Sequence, residues 1–321
     1  MSPTLQRQLP LLTTAAIFAL LFATAGFMYT GFFSGRVLVN ILGDTASLGI
    51  TAVGMTLVIF SGGIDLSVGA VIGFTSIFCA TMIEQHGWHP ATAAGVVLGL
   101  GAGLGCVMGT LIQKFKLPPF LITLAGMFLA RGSAFWISTE STGIKHPLYD
   151  RLSQFELPLG SDLGLPLTSV LLLVVLAIGY VLAHHTRFGR NLLAIGGNEQ
   201  SAILMGLPVA STKIVAYTLN SIFAVMAGLV ATLYTGSGNP SLGVGLELDA
   251  IAVVVIGGTL LSGGRGHMLG TLLGILVFGT IQSAMLFDGR LNSWWIRIVV
   301  ALLLLVFILL QRALARGGRR R

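Results

Sequence analysis

Few side chains in this 321-residue sequence are equipped for chemistry, because only 9% are charged while 55% are hydrophobic. Those few sit in distinctive places. Asp65 and Ser67 belong to Ser61-Gly62-Gly63-Ile64-Asp65-Leu66-Ser67-Val68-Gly69, which separates two long apolar runs. Gly62 and Gly63 permit tight or broken backbone, and in lipid such backbone survives only where protein or a water-filled path covers it. Two readings stand for Asp65: a charge beside the first turn of the next helix, or part of a gate on a path across the bilayer. Arg131 lies well inside one apolar run and Arg297 just inside another. An unpaired charge at bilayer depth costs about 2.5–3.5 kcal/mol on insertion scales, so each needs a partner or water. Glu247 and Asp249 suit Arg297, while Arg131 is read either as structurally paired or as touching a solute. Gly62, Gly63, Asp65, Ser67, Arg131, Glu247 and Asp249 form the candidate pathway or gate.

Other chemistries lack their residues. A P-loop needs a lysine after glycine, but Lys114, Lys116, Lys145 and Lys213 follow Gln113, Phe115, Ile144 and Thr212. The chain therefore has no Walker-type ATP site of its own. HExxH and GxSxG are both missing, which disfavours a membrane enzyme, and no catalytic residue, metal ligand or cofactor is assigned. His184 and His185 end an apolar run and are read as interfacial. Cys79 and Cys106 lie inside apolar runs without paired spacing and are read as packing residues.

These residues must be positioned by helices in a membrane. A mean hydropathy of +0.92 and 43 glycines suit lipid-embedded helices in close contact. Turn-rich or charged breaks leave ten spans of about 20 residues, near 11–30, 43–61, 64–83, 91–113, 119–138, 166–185, 212–235, 247–261, 267–286 and 294–312. The eighth is short and is expected to be tilted, interrupted or re-entrant. Arg7 before an apolar stretch, and Ala23-Thr24-Ala25, resemble a signal peptide. The run is long for that and stays apolar to Phe33, so it is read as an uncleaved anchor. An all-α polytopic protein with both termini cytoplasmic then places twelve of the eighteen basic residues inside, among them Arg7, Lys114, Lys116, Arg187, Arg190, Lys213, Arg265 and the arginines from Arg312 onward. Arg36, Lys145, Arg151 and Arg290 fall outside. Trp88, Trp136, Trp294 and Trp295 fall at outer span ends, where indoles favour headgroups. The net charge of +7 is thus an orientation signal and not a nucleic-acid footprint.

Ser61-Gly62-Gly63 recurs 201 residues later as Ser262-Gly263-Gly264, with Gly69 and Gly73 matched by Gly270 and Gly274. A parallel internal repeat is one explanation, and chance similarity in a glycine-rich chain is the other. Two stripes, Gly95/Gly99/Gly103 and Gly101/Gly105/Gly109, should each allow close helix packing. Two connections are long. The outer one, 139–166, carries Glu140, Asp150, Glu156 and Asp162, and the inner one, 186–211, is polar and glycine-rich.

At four segments the chain resembles the permease family of ribose, xylose and autoinducer-2 type ATP-binding-cassette importers: SGGIDLSVG at 61–69, LPPFLITLAGMFLARG at 117–132, TRFGRNLLAIGGNEQSAILMG at 186–206 and ELDAIAVVVIGGTLLSGGRGHMLGT at 247–271. Within it the likeness is to galactofuranose permeases, through Thr139-Glu140-Ser141, His146 to Asp150, Phe287-Asp288-Gly289 and Trp294-Trp295. The resemblance implies one permease domain over 1–321 in a bacterial inner membrane. Its implied partners are a second permease, preferably a different one, cytoplasmic ATPase subunits and a periplasmic sugar-binding protein. It also makes the inner connection, with Gly196, Gly197, Asn198, Glu199, Ala202 and Gly206, the segment that couples to the ATPase. Asn198 suits a helix cap, and Glu199 to Gly206 a short helix stopped by Gly206 and Pro208. Small Ala202 is expected to face the ATPase groove, so that Ala202→Trp obstructs docking. The rival is a secondary transporter or facilitator, which often carries midplane ionisable groups; here the acidic residues are expected mostly near span ends.

Overall fold

A computed structural model describes residues 3–160, 163–289, 295 and 297–306. The side chain of Arg7, and Asp162, Arg290, Trp294 and the arginines from Arg312 onward, lie outside the described residues. In chain order, α1 (Pro3–Met28) is followed by α2 (Gly35–Asp44), α3 (Ala46–Phe60), α4 (Val68–Glu84), α5 (Pro90–Lys114) and α6 (Pro119–Ile137). The short outer helix α7 (Pro147–Ser153) precedes α8 (Leu167–Tyr180), which a π turn extends over Val181–His185. Then come α9 (Arg187–Gly197), α10 (Glu199–Leu204), α11 (Val209–Thr235), α12 (Leu246–Ile256), α13 (Met268–Asp288) and α14 (Arg297–Val306). Local chemistry sets many of these ends. Pro90 and Pro119 open α5 and α6 at a position with no amide to lose. Gly236 and Gly289 close α11 and α13 in the left-handed region at φ 63° and 64°.

Six of the described helices are long and apolar enough to cross a bilayer, or seven if α2 and α3, bent by 62° at Thr45, act as one span. Two of the remaining expected spans, the third and the eighth, hold helices shorter than a crossing helix, and the tenth lies partly outside the described residues. At 1.5 Å per residue, α4 reaches about 25 Å and α12 about 16 Å, against a hydrocarbon core of about 30 Å. The third and eighth spans are therefore each a short helix joined to non-helical backbone, residues 61–67 before α4 and 236–245 before α12. For the eighth, this is the interrupted one of the three expected forms, tilted, interrupted or re-entrant. The third was expected to be a whole helix from 64.

Helix α11 is the centre of the bundle, packed against α5, α3 and α4. Gly101, Gly105 and Gly109 meet α11 at Val225, Ser221, Tyr217, Thr218 and Ile214, where a Cβ would crowd. The other stripe differs from expectation. Gly95, Gly99 and Gly103 have nothing within 4 Å of a Cβ position among the described residues. One helix cannot turn two stripes to the same neighbour, and α11 takes only one. Cys79 is buried as expected, whereas Cys106 faces outward from α5. Elsewhere α1 lies along α13, α12 between α3 and α13, and α4 against α6.

The outer connection is structured. Strand β1 (Thr142–Gly143) pairs antiparallel with β4 (Ser237–Gly238), and β2 (Glu156–Pro158) with β3 (Gly164–Pro166). Tyr149 of α7 is buried against α11 with its hydroxyl 3.2 Å from Thr232 Oγ1. Burial pushes its phenol up to about 12, so this anchor stays neutral at physiological pH.

Ser153 and Ser211 are both exposed, on α7 and at the start of α11. In a Cys106→Ala background, Ser153→Cys is expected to react with an impermeant maleimide applied from outside intact cells. Ser211→Cys should react only after permeabilisation. The opposite pattern would invert the positive-inside assignment.

Candidate functional site

The two short-helix spans meet in the middle of the bundle. Asp65 sits in the non-helical segment before α4 and is fully buried. Its Oδ1 accepts the Ser67 amide at 2.9 Å and the Ser67 hydroxyl at 2.6 Å, and its Oδ2 accepts from Asn220 Nδ2 at 2.8 Å. All three donors are neutral. Asn220 is the twelfth residue of α11, about 17 Å from that helix's inner end and about 22 Å from its outer end. Asp65 is thus at mid-depth and ties the broken third span to the central helix. Nearby, Tyr217 donates to the Ile64 carbonyl at 3.4 Å, and Asn220 Oδ1 is buried without a partner among the described residues.

Arg131 lies about two-thirds of the way along α6, six residues before its outer end, and donates to three backbone carbonyls, Pro240, Leu242 (2.8 Å) and Gly69 (3.0 Å). It therefore clamps the non-helical part of the eighth span onto the start of α4. The close approach explains Gly69: a Cβ there would run into the Glu247 carboxylate and the Gly243 carbonyl. Gly69 is fifteen residues before the end of α4, which places Glu247 about 22 Å below the outer end of that helix. Glu247 and Asp249 were expected at an outer span end. Residues 236–245 instead descend as coil, with Gly243 and Gly245 at positive φ, and carry both carboxylates to mid-depth. Glu247 interacts electrostatically with Arg131, and Asp249 with Arg297. Arg297 Nη2 also approaches the Val244 carbonyl at 3.5 Å. Of the two carboxylates expected to serve Arg297, Asp249 lies in its electrostatic field, while the partners of Arg131 are mainly backbone.

A second convergence lies at the inner end. Both copies of Ser-Gly-Gly form a turn between helices, α3 to α4 and α12 to α13, and the two turns touch. The Gly264 amide donates to the Phe60 carbonyl at 3.1 Å, and a Cβ on Gly263 would lie 2.6 Å from the Gly62 nitrogen. The end of α9 rests on both. A Cβ on Gly196 would overlap the Phe60 carbonyl and come within 2.5 Å of the Gly264 nitrogen, and one on Gly264 would lie 2.6 Å from Gly197 Cα. Three segments far apart in sequence therefore pack backbone to backbone. His184 joins them. Its Nε2 accepts the Met268 amide at 3.0 Å and its ring stacks on His267 with centroids 4.1 Å apart, tying the π turn to the start of α13.

The inner connection is two helices and not a loose loop. Thr186 caps α9, and Asn198 Oδ1 accepts from the Ser201 amide at 2.9 Å, as expected for a cap. Helix α10 ends at Leu204, two residues before Gly206, which turns at φ 75°. Glu199 pairs with Lys213 at 2.7 Å. Ala202 does not face outward. It is fully buried with Ile195 and Val209, so a tryptophan there would overfill the segment's own core and would not probe docking. The exposed residues are Ile203, Leu204 and Met205, at 53%, 88% and 67% exposure. Three consecutive large apolar side chains are thus left uncovered at the tip, a patch of the kind that contacts another protein or the membrane surface.

The family profile described as branched-chain amino acid transport system / permease component matches residues 37–309. This chain belongs to that permease family. The permease is 50% identical to the inner membrane ABC transporter permease YjfF of Escherichia coli, over 97% of this chain and 94% of that one. It is 39% identical to the fructose import permease FruG of Bifidobacterium longum, over 98% and 94% of the two chains. It is 35% identical to the ribose import permease RbsC of Escherichia coli, over 91% and 90%. No solved structure matches the permease. It is a multi-pass inner-membrane protein, and its relatives are permease subunits and not enzymes.

The sequence missed Asn220, Tyr217 and the clamp on residues 240–242. A lone amide in the apolar run of α11 was the available signal for Asn220. For the clamp it was the density of breakers, Gly236, Gly238, Pro240, Gly243 and Gly245.

Proposed function

We propose that this chain forms the translocation path for a monosaccharide in an ATP-driven importer, with the inner connection 186–211 receiving the ATPase and the outer connection 139–166 facing the periplasmic binding protein. The observation that carries this is the seat of the inner connection. Its apolar tip at Ile203–Met205 is free for a partner, and its other end, Gly196 and Gly197, rests on both glycine turns. A push on the tip reaches the two interrupted spans through backbone contact alone. Those spans hold Asp65, Glu247 and Asp249, so the coupling segment and the candidate gate are mechanically joined. The sugar class follows relatives named for ribose and fructose. The finer assignment, galactofuranose carried by a heterodimer with a different permease, rests on the resemblance at Thr139-Glu140-Ser141, His146 to Asp150 and Phe287-Asp288-Gly289.

One observation favours the secondary-transporter reading. Three carboxylates lie at mid-depth, where ion-coupled carriers place theirs, and their expected position near span ends no longer argues against it. Uptake in vesicles depleted of ATP with the ion gradient retained separates the two. Loss of uptake supports the importer, and persistence supports the carrier.

The coupling surface has its own test. Leu204 is almost fully exposed, so Leu204→Arg should change folding stability by no more than about 0.5 kcal/mol. Burying that charge in an apolar groove should cost an interface about 2 kcal/mol or more. The variant is expected to reach the membrane at the normal level and to lose at least about tenfold in ATPase association, with uptake falling in parallel. Normal association would move the docking site to the turns at Lys114 or Arg265.

A further inference from the structure

A cleft of about 260 Å³ opens in the outer half of the bundle, between the α2–α3 bend, the start of α12, α13 and α14. Asp44 and Ser47 line one wall, Asp249 and Arg297 another, and Gln282 and Phe278 a third. We propose that this cleft is a low-affinity binding site for a single sugar ring on its way across the membrane, an inference that rests on the sugar-transport reading and names where the solute is held. Three features select that ligand class.

Size comes first. Small-molecule pockets begin near ~300 Å³, so a cleft just under this takes one ring and not a disaccharide. Charge balance is second. Asp44 already accepts from Tyr234 at 2.9 Å, and Asp249 lies in the field of Arg297. An anion would meet two carboxylates and a cation would displace existing pairs, whereas neutral hydroxyls both donate and accept. Each carboxylate has about four acceptor positions, and the guanidinium and amide supply donors. The third feature is the apolar side. Leu48 and Phe278 line the cleft beside the polar groups, and such apolar surface suits the C–H face of a sugar. Depth places the cleft on a path from outside. Gln282 lies six residues and Phe278 ten residues before the end of α13, about 9 and 15 Å in. Asp249, at the inner edge of the cleft, lies two residues along α12 from Glu247 and the mid-depth cluster.

The test uses the complete transporter in membrane vesicles, with Ser47→Cys in a Cys106→Ala background and an impermeant maleimide added from the outer side. D-galactose, D-ribose and D-fructose are the probes, at about 100 mM, well above the ~1 mM dissociation constants of weak sites. At least one of them is expected to slow labelling threefold or more, and the protection should vanish when Asp249→Asn is added. Sorbitol, which has the hydroxyls but no ring, should not protect. If Ser47→Cys lowers the amount of permease, Gln282→Cys reports from the opposite wall. Unchanged labelling with every sugar, or equal protection by sorbitol, in vesicles that still import sugar on ATP, overturns the cleft and leaves the transport reading standing. Absence of ATP-driven uptake of all three sugars and of galactofuranose overturns the transport reading and this assignment with it.

Discussion

Gly196→Ala is expected to abolish ATP-driven uptake, while Gly197→Ala, one residue on, leaves it within about twofold of wild type. Helix propensity predicts the opposite sign for the first change, since alanine is favoured over glycine by about 1 kcal/mol in a helix interior. Packing overrides it. A methyl group on Gly196 would overlap the Phe60 carbonyl and crowd the Gly264 amide, whereas one on Gly197 has nothing within 4 Å among the described residues. Overfilling a packed contact costs about 1–3 kcal/mol where side chains adjust, and here the obstacles are backbone atoms of two turns. Either α9 lifts off the turns or the turns separate. Lifting leaves protein in the membrane that binds ATPase but does not transport, and separation lowers the amount of protein. Immunoblotting of membranes, ATPase co-purification and uptake read these outcomes together. Normal uptake by Gly196→Ala would show that the inner segment need not touch the glycine turns.

The contrast between neighbouring glycines also shows what a sequence of this kind makes legible. Long apolar runs stand out because about 20 consecutive residues must satisfy lipid, so α5, α6, α8, α11 and α13 were all found to within a few residues. Asn198 as a cap was legible because capping is local. Depth was not. Asp65, Glu247 and Asp249 border apolar runs and look terminal by counting, but non-helical backbone before α4 and α12 carries them to mid-bundle. Facing was not legible either. Ala202 is turned inward by Ile195 and Val209, which belong to the neighbouring helices and leave no trace in the periodicity of a six-residue helix. The two glycine stripes of α5 are equivalent by spacing, and only the position of α11 distinguishes them.

Asp65 provides the sharpest separation of structure from transport. Asp65→Ala removes the acceptor for the Ser67 amide, the Ser67 hydroxyl and the Asn220 amide. A buried donor left unpaired costs about 1–3 kcal/mol. The bond between helices contributes the smaller part, since such bonds in membrane proteins average about 0.6 kcal/mol. Most of the loss therefore falls on the local turn into α4, and the amount of this variant in the membrane is expected to drop at least about fivefold. Asp65→Asn differs in kind. Its amide oxygen is able to keep both bonds to Ser67, and its nitrogen is able to donate to Asn220 Oδ1, which has no partner among the described residues, once the Asn220 side chain turns over. The turn and the tie to α11 survive, and only the charge is lost. Asp65→Asn is therefore expected at the normal level in the membrane, with uptake reduced at least about tenfold if the charge belongs to the gate. Equal uptake at equal level would instead assign Asp65 to holding the broken span against Asn220 and nothing more.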